Sequence, residues 1–166
     1  MRSSIKLLLA VVLLLLTLTT KAQSLSHDKW TNALCGEWLG KGVVMGDSVV
    51  YSATTSYCLS DQFICIHLRD TARKAAYMAD IYIGYDSTKN EYICHWLDDS
   101  GAANSTVLGH GKKSTDQQSV NFAFEYPGSP MQTSIGLTKE GWAFQAIFIT
   151  ARGTPQIFGT VYFTRK

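Results

Sequence analysis

Charged residues and prolines are scarce in this 166-residue chain. Only 17% of its residues are charged and three are proline, and no tract is rich in Pro, Gly or Ser. This composition excludes a collagen-like or low-complexity chain. Beyond residue 22, 12 Lys and Arg stand against 13 Asp and Glu, a net charge of −1. Without a basic surplus the chain lacks the electrostatic footprint of nucleic-acid binders, so we expect no nucleic-acid partner.

Motifs for common enzymatic and metal chemistry are also missing. The chain has no Gly-x-Ser-x-Gly nucleophile motif. Zinc-binding cysteine pairs lie within about four residues of each other. No two cysteines of this chain are that close in sequence. No two histidines are spaced two or four residues apart; they are His27, His67, His95 and His110. We therefore expect no metal site, no haem and no other cofactor.

Long hydrophobic runs are limited to one, at the N-terminus. Arg2 and Lys6 precede an unbroken apolar run over residues 7–16, and small and polar residues follow as far as Ala22. This order is typical of a secretory signal peptide. The run is about half the roughly 20 residues that a membrane-spanning helix needs. We expect cleavage after Ala22, export to the periplasm or beyond the cell, and one domain over residues 23–166 with no membrane span.

Four cysteines, Cys35, Cys58, Cys65 and Cys94, lie beyond the expected cleavage site. An exported chain permits disulfides, and four cysteines allow three complete pairings, among which the spacing does not choose. A turn centred on Asp61 and the next residue would place Cys58 opposite Cys65 across a hairpin. The alternative is that all four are small buried thiols.

Alternating apolar and polar residues dominate the rest of the chain. A short helical segment comes first, with Asp28 as its N-cap and Gly36 at its end. After it, runs rich in aromatic and β-branched residues recur between turns that contain Gly, Asp, Asn, Ser or Pro. These predicted strands cover residues 38–45, 49–58, 63–69, 76–85, 91–97, 104–111, 120–126, 131–138, 142–150 and 156–164.

Ten consecutive strands with short turns favour a closed sheet. A long meander leaves two unpaired edges, and closure into a barrel removes them. The chain also carries seven Phe, eight Tyr and four Trp, all beyond residue 22, which is ample for a core. We therefore predict an all-β fold: a single antiparallel up-and-down β-barrel of about ten strands with a short N-terminal helical turn.

The segments GEWLGKG, YIGYDSTKNEYICHWLDDSG and GHG carry a resemblance to a known family. Together they resemble exported bacterial lipocalin-like (calycin) β-barrel proteins of uncharacterised function. Lipocalin-like barrels open with Gly-x-Trp and close with a basic residue on the last strand, so the resemblance implies that Arg165 stacks on Trp38. The other matching positions are Gly36, Gly40, Gly84, Tyr85, Asp86, Tyr92, Trp96, Asp98, Gly109 and Gly111.

A barrel of this size predicts a binding function. Its interior can hold one small, mostly apolar molecule. The aromatic residues expected to line it are Tyr82, Trp96, Phe122, Phe124, Trp142, Phe144 and Phe148. In one alternative these side chains fill the barrel, and the protein is a solid-core interaction protein of the cell envelope.

The other alternative is an enzyme, a hydrolase or isomerase, with a polar site in the barrel mouth. It requires His67, His95, Asp80 or Glu125 to converge there. Cys65 and His67 share a strand face, because they are two residues apart. A catalytic cysteine–histidine pair also needs a third, orienting group and a cleft, and the local sequence offers neither.

Overall fold

The computed structural model of the protein describes Leu25, residues 28–71 and residues 77–166. The expected signal peptide, its cleavage site and His27 lie outside the described residues. One short helix, α1 (Lys29–Leu34), precedes the strands. Asp28 is its N-cap, as predicted, and the Trp30 backbone N–H donates to Asp28 Oδ1 at 2.9 Å. The helix ends at Leu34, and Cys35 is its C-cap, directly before Gly36.

The described residues form ten antiparallel strands, which confirms the predicted fold class. The strands close into an up-and-down barrel in which each pairs with its neighbours in sequence, and the first pairs with the last. They are β1 (Gly36–Val44), β2 (Asp47–Cys58), β3 (Phe63–Asp70), β4 (Met78–Asp86), β5 (Glu91–Asp98), β6 (Gly109–Lys113), β7 (Ser119–Phe124), β8 (Met131–Leu137), β9 (Gly141–Ile149) and β10 (Pro155–Arg165).

The start of β6 differs most from the sequence prediction. A strand was expected from residue 104, but a 3₁₀ turn at Ala102–Asn104 precedes it and β6 begins at Gly109. The backbone groups of Ser105 form their hydrogen bonds outside the sheet. The Ser105 N–H donates to the Ala102 carbonyl, and the Ser105 carbonyl accepts from His95 Nε2 at 2.9 Å. These local bonds replace the ladder that the β-branched residues at 106–107 favour.

The hairpin between β2 and β3 brings no cysteine opposite another. Cys58 pairs with Phe63, and Cys65 pairs with Ser56, because the turn centres one residue earlier than the disulfide geometry requires. All four cysteines are free thiols. The two cysteines of this hairpin therefore match the alternative of unpaired thiols.

The two ends of the barrel differ. The chain before β1 covers one end, the helical end: Trp38 Nε1 donates to the Leu34 carbonyl at 2.8 Å, and the Leu25 N–H bonds to the Asp61 carbonyl in the β2–β3 turn. At the opposite, open end lie the end of β3, the start of β4 and the connections β1–β2, β5–β6, β7–β8 and β9–β10. Strand alternation then decides what faces inward. On β5, Tyr92 and Cys94 are buried inside, together with Trp96, and His95 faces out.

Candidate functional site

A cavity of about 380 Å³ occupies the open half of the barrel. Its size falls within the usual range of small-molecule sites, about 300–1,000 Å³. The wall is mainly apolar, and polar groups gather where the strands end at the mouth. The lining residues are Val44, Met45, Asp47, Val49, Tyr51, Ile66, Leu68, Asp70, Tyr77, Ile81, Trp96, Asp98, Ser100, Asn104, Tyr126, Met131, Thr133, Ile135, Trp142, Phe144, Ala146, Phe158 and Phe163.

Three of the seven aromatic residues expected inside line this cavity. Trp96 and Phe144 contact each other, with ring centroids 5.4 Å apart. Trp142 is fully buried toward the helical end, where its ring stacks on Phe163 at 3.8 Å and meets Trp38 edge-on. These rings give the cavity a rigid aromatic side and floor.

Phe122 and Phe124 are fully buried but do not line the cavity. Phe122 pairs with Gly111 and Phe124 pairs with Gly109 across the β6–β7 ladder. A Cβ added to either glycine would meet the facing ring at 2.4–2.6 Å. The two rings therefore lie flat on the inner wall, in the room that the glycines leave, and do not project into the cavity.

The remaining two aromatic residues lie elsewhere. Tyr82 pairs with Cys65 and His95 on the outer face of the barrel. Phe148 is half-buried, pairs with Met131 near the open end, and is not among the lining residues.

The mouth carries a chain of hydrogen bonds. Trp96 Nε1 donates to the Tyr77 hydroxyl at 2.8 Å, and that hydroxyl donates to Asp98 Oδ2 at 3.0 Å. The other Asp98 oxygen accepts from the Ser100 N–H at 3.0 Å. Burial raises the pKa of Tyr77 far above its usual range, so its proton stays in this chain. The chain fixes the orientation of the Trp96 ring at the cavity entrance.

Sequence reasoning did not select several residues that shape the cavity. Asp98 shares a face of β5 with Trp96 and lines the cavity, but it was not among the residues expected there. Tyr77 falls within the predicted strand 76–85, on the face opposite Tyr82, and was missed because Tyr82 was expected to face inward. Thr133 alternates with Ile135 on β8, a pattern that already indicates an inward hydroxyl.

The helical end contains the pair that the family resemblance implies. The Arg165 guanidinium lies 4.5 Å from the centroid of the Trp38 ring. Arg165 also donates to the Cys35 carbonyl at 3.2 Å. Gly36 makes room for it: its φ is +136°, and a Cβ there would meet the guanidinium at 2.5 Å. The pair thus joins β1, β10 and the end of α1.

The outer face holds a cysteine–histidine–aspartate arrangement. His67 Nδ1 donates to Asp80 Oδ1 at 2.9 Å, so Asp80 supplies the orienting group that the local sequence lacks. Arg69 binds the same oxygen at 3.1 Å. Burial alone would raise the pKa of Asp80, but its bonds from His67 and Arg69 lower it overall.

This arrangement lacks the features of a nucleophilic site. Cys65 Sγ lies 3.6 Å and 3.8 Å from the two ring nitrogens of His67, so the thiol rests against the ring and not in line with either nitrogen. Cys65 is only 2% exposed, and burial raises the pKa of its thiol. His67, Asp80 and His95 occupy the outer face and Glu125 is exposed, so the four do not converge in the barrel mouth.

Comparison with known proteins gives no family for the chain: no family model matches it, and no curated protein matches it significantly. Within the described ranges, no group of three or more His, Cys, Asp or Glu is placed to hold a metal ion. Across the same ranges, no helix is both long and apolar enough to cross a membrane.

Proposed function

We propose that this protein is an exported binding protein whose barrel takes up one small, mostly apolar molecule through its open end. The observation that carries the proposal is the cavity of about 380 Å³, with apolar walls and a hydrogen-bonded mouth. A few fixed polar groups in a mainly apolar concave site are the usual design of small-molecule sites. The N-terminal run over residues 7–16 supports the exported part of the proposal.

We also propose that the chain is related to the lipocalin-like barrels. Three features support this: the helix that precedes β1, the Gly36-x-Trp38 start of that strand, and Arg165 over the Trp38 ring. The cavity argues against a solid-core interaction protein, because about 380 Å³ of the interior is empty of side chains.

The experiment is a titration of the purified protein with N-phenyl-1-naphthylamine, a neutral probe that fluoresces in apolar surroundings. We expect saturable fluorescence with one site per chain. Ala146 is fully buried and lines the cavity, so Ala146→Phe fills part of it. This change should weaken probe binding about tenfold or more, a loss of at least about 1.4 kcal/mol.

The matched control is Ala123→Phe. Ala123 lies on the outer face of β7, between the inward-facing Phe122 and Phe124, and is half-buried. This variant adds the same ring outside the cavity, so probe affinity should stay at the wild-type value. Circular dichroism and thermal unfolding establish that both variants fold, and Ala146→Leu is the milder substitute. Equal affinities for the wild type and a folded cavity-filling variant would remove the cavity as the binding site.

A further inference from the structure

Two buried hydrogen-bond donors in the cavity wall have no partner in the part of the chain that the structure describes. Thr133 and Trp142 both line the cavity and are both almost fully buried. Among the described residues, neither Thr133 Oγ1 nor Trp142 Nε1 has a hydrogen-bond partner. Buried polar groups are nearly always paired, and an unpaired one destabilises the protein that carries it. Two unpaired donors on one cavity indicate that a bound ligand supplies the hydrogen-bond acceptor that the chain does not provide.

Thr133 is the better placed of the two donors. It lies on the inner face of β8, two residues beyond Met131 and so about 7 Å further from the open end along the strand. Its neighbours across the ladders are Phe122 and Ala146, whose side chains carry no acceptor. Because Oγ1 is bonded directly to Cβ, the Thr133 hydroxyl lies within the inner wall, beside the cavity.

The chemistry of the donors restricts the group that pairs with them. An indole N–H only donates, whereas a threonine hydroxyl donates or accepts, so an acceptor oxygen satisfies either one. A carboxylate there would lose its hydration among apolar side chains. The lining residues that the structure describes include Asp47, Asp70 and Asp98 but no Lys, Arg or His to compensate an anion.

We propose that the ligand carries a neutral acceptor oxygen, such as that of a ketone, ester or ether, which accepts a hydrogen bond from the Thr133 hydroxyl. This inference rests on the binding function proposed above and specifies its ligand class. The ligand is then an apolar molecule that bears an uncharged oxygen on the part that reaches past the mouth.

The test compares acetophenone with ethylbenzene, which differ by a carbonyl in place of a methylene. Each displaces N-phenyl-1-naphthylamine from the wild type and from Thr133→Val, which keeps the shape of the side chain and removes the hydroxyl. Loss of one neutral hydrogen bond should raise the acetophenone Kd roughly 3- to 10-fold. The ethylbenzene Kd should stay the same or fall.

Thr55→Val is the matched control. Thr55 is also buried with its hydroxyl unpaired among the described residues, but it does not line the cavity. Both threonine variants should therefore unfold at or above the wild-type temperature. The control variant alone should keep the wild-type affinities for both compounds.

Each remaining outcome overturns a stated part of the inference. If Thr133→Val changes both affinities equally, or neither, the acceptor pairing is wrong and the binding function stands. If benzoate binds more tightly than acetophenone, the neutral class is wrong. If no probe binds the wild type, the binding function fails and the inference fails with it.

Discussion

At the scale of single residues, the inner wall is shaped by how large rings meet small neighbours. Phe122 and Phe124 lie over Gly111 and Gly109, and the Phe163 ring lies over Gly40 in the same way. Sequence alternation puts Phe122 and Phe124 on one face of their strand, and both rings are buried in the barrel. It does not indicate whether a ring projects or lies flat, because that depends on the residue across the ladder. The empty volume could not be predicted from the sequence for this reason.

The contact between Arg165 and Trp38 should stabilise the barrel measurably. We expect Arg165→Ala to lower the free energy of unfolding by about 1 kcal/mol, since the cation–π contact is lost and the ring of Trp38 is uncovered. Arg165→Lys should retain part of the stabilisation that the wild-type contact provides. Denaturant unfolding measures the effect, and Arg152→Ala in the exposed β9–β10 turn is the control, with a change within about 0.5 kcal/mol. A control effect as large as that of Arg165→Ala would contradict the assignment.

The four cysteines should behave as free thiols. Alkylation of the unreduced protein in denaturant should add four carbamidomethyl groups by intact mass. In the native protein Cys94 should react last, because burial raises the pKa of its thiol and shields it from reagent. Addition of only two groups in denaturant would show a disulfide and contradict the structure.

At the scale of elements, the sequence predicts the alternation of apolar and polar residues in each strand better than it predicts where the strand begins and ends. The strands β2, β5 and β9 begin or end within two residues of their predicted bounds, because Gly and Asp mark the turns beside them. The start of β6 was missed, since His95 and a 3₁₀ turn satisfy the backbone around Ser105. The His95 bond joins residues ten positions apart, and the β-branched pattern after Ser105 gives no indication of it.

Helix α1 is anchored to the barrel through one carboxylate. Asp28 accepts from Lys113 Nζ on β6 at 2.7 Å and from the Tyr92 hydroxyl on β5. Burial raises the pKa of Asp28, but these bonds and that of the Trp30 N–H outweigh it and hold the pKa below its usual value. A carboxyl whose pKa is lowered by folding stabilises the protein above its unfolded pKa, about 3.9. That stabilisation is lost as the pH falls through the folded pKa.

The pH dependence of Asp28→Asn should follow from this. Asparagine still caps the helix but carries no charge, so at pH 7 we expect a loss of about 1.5 kcal/mol in unfolding free energy. The difference from the wild type should shrink as the pH falls below about 3.9, where the carboxyl of the unfolded chain is protonated, and should be lost once the pH passes below the lower folded pKa. Denaturant unfolding at pH 7 and pH 3 measures it.

Lys113→Met provides the matching test of the anchor. If the ion pair with Lys113 carries the effect, Asp28→Asn should cost less in the Lys113→Met background than in the wild type. Equal costs in both backgrounds would assign the effect to the other bonds of Asp28.

At the scale of the whole molecule, closure of the barrel depends on the contact of β1 with β10. These strands come from opposite ends of the described chain, so the final ladder carries a large loop-closure cost during folding. Gly42 lies in this ladder, opposite Val161 on one side and Val49 on the other. A Cβ at Gly42 would lie 2.0 Å from the Thr160 carbonyl oxygen and 2.7 Å from Val161 Cα. The two backbones approach more closely there than any side chain allows.

Gly42→Ala should therefore open or strain this ladder. Because backbone atoms cannot rotate away as a flexible side chain can, we expect a loss of about 2–3 kcal/mol in unfolding free energy, at the upper end of overpacking effects. Gly136→Ala is the matched control: it is also a glycine inside a strand, and its added Cβ would meet only the Ser119 Cβ at 3.2 Å, with the nearest backbone atom at 3.9 Å. The control should change stability by less than about 1 kcal/mol. Similar losses in the two variants, measured by denaturant unfolding, would mean that close approach at the β1–β10 ladder does not limit closure of the barrel.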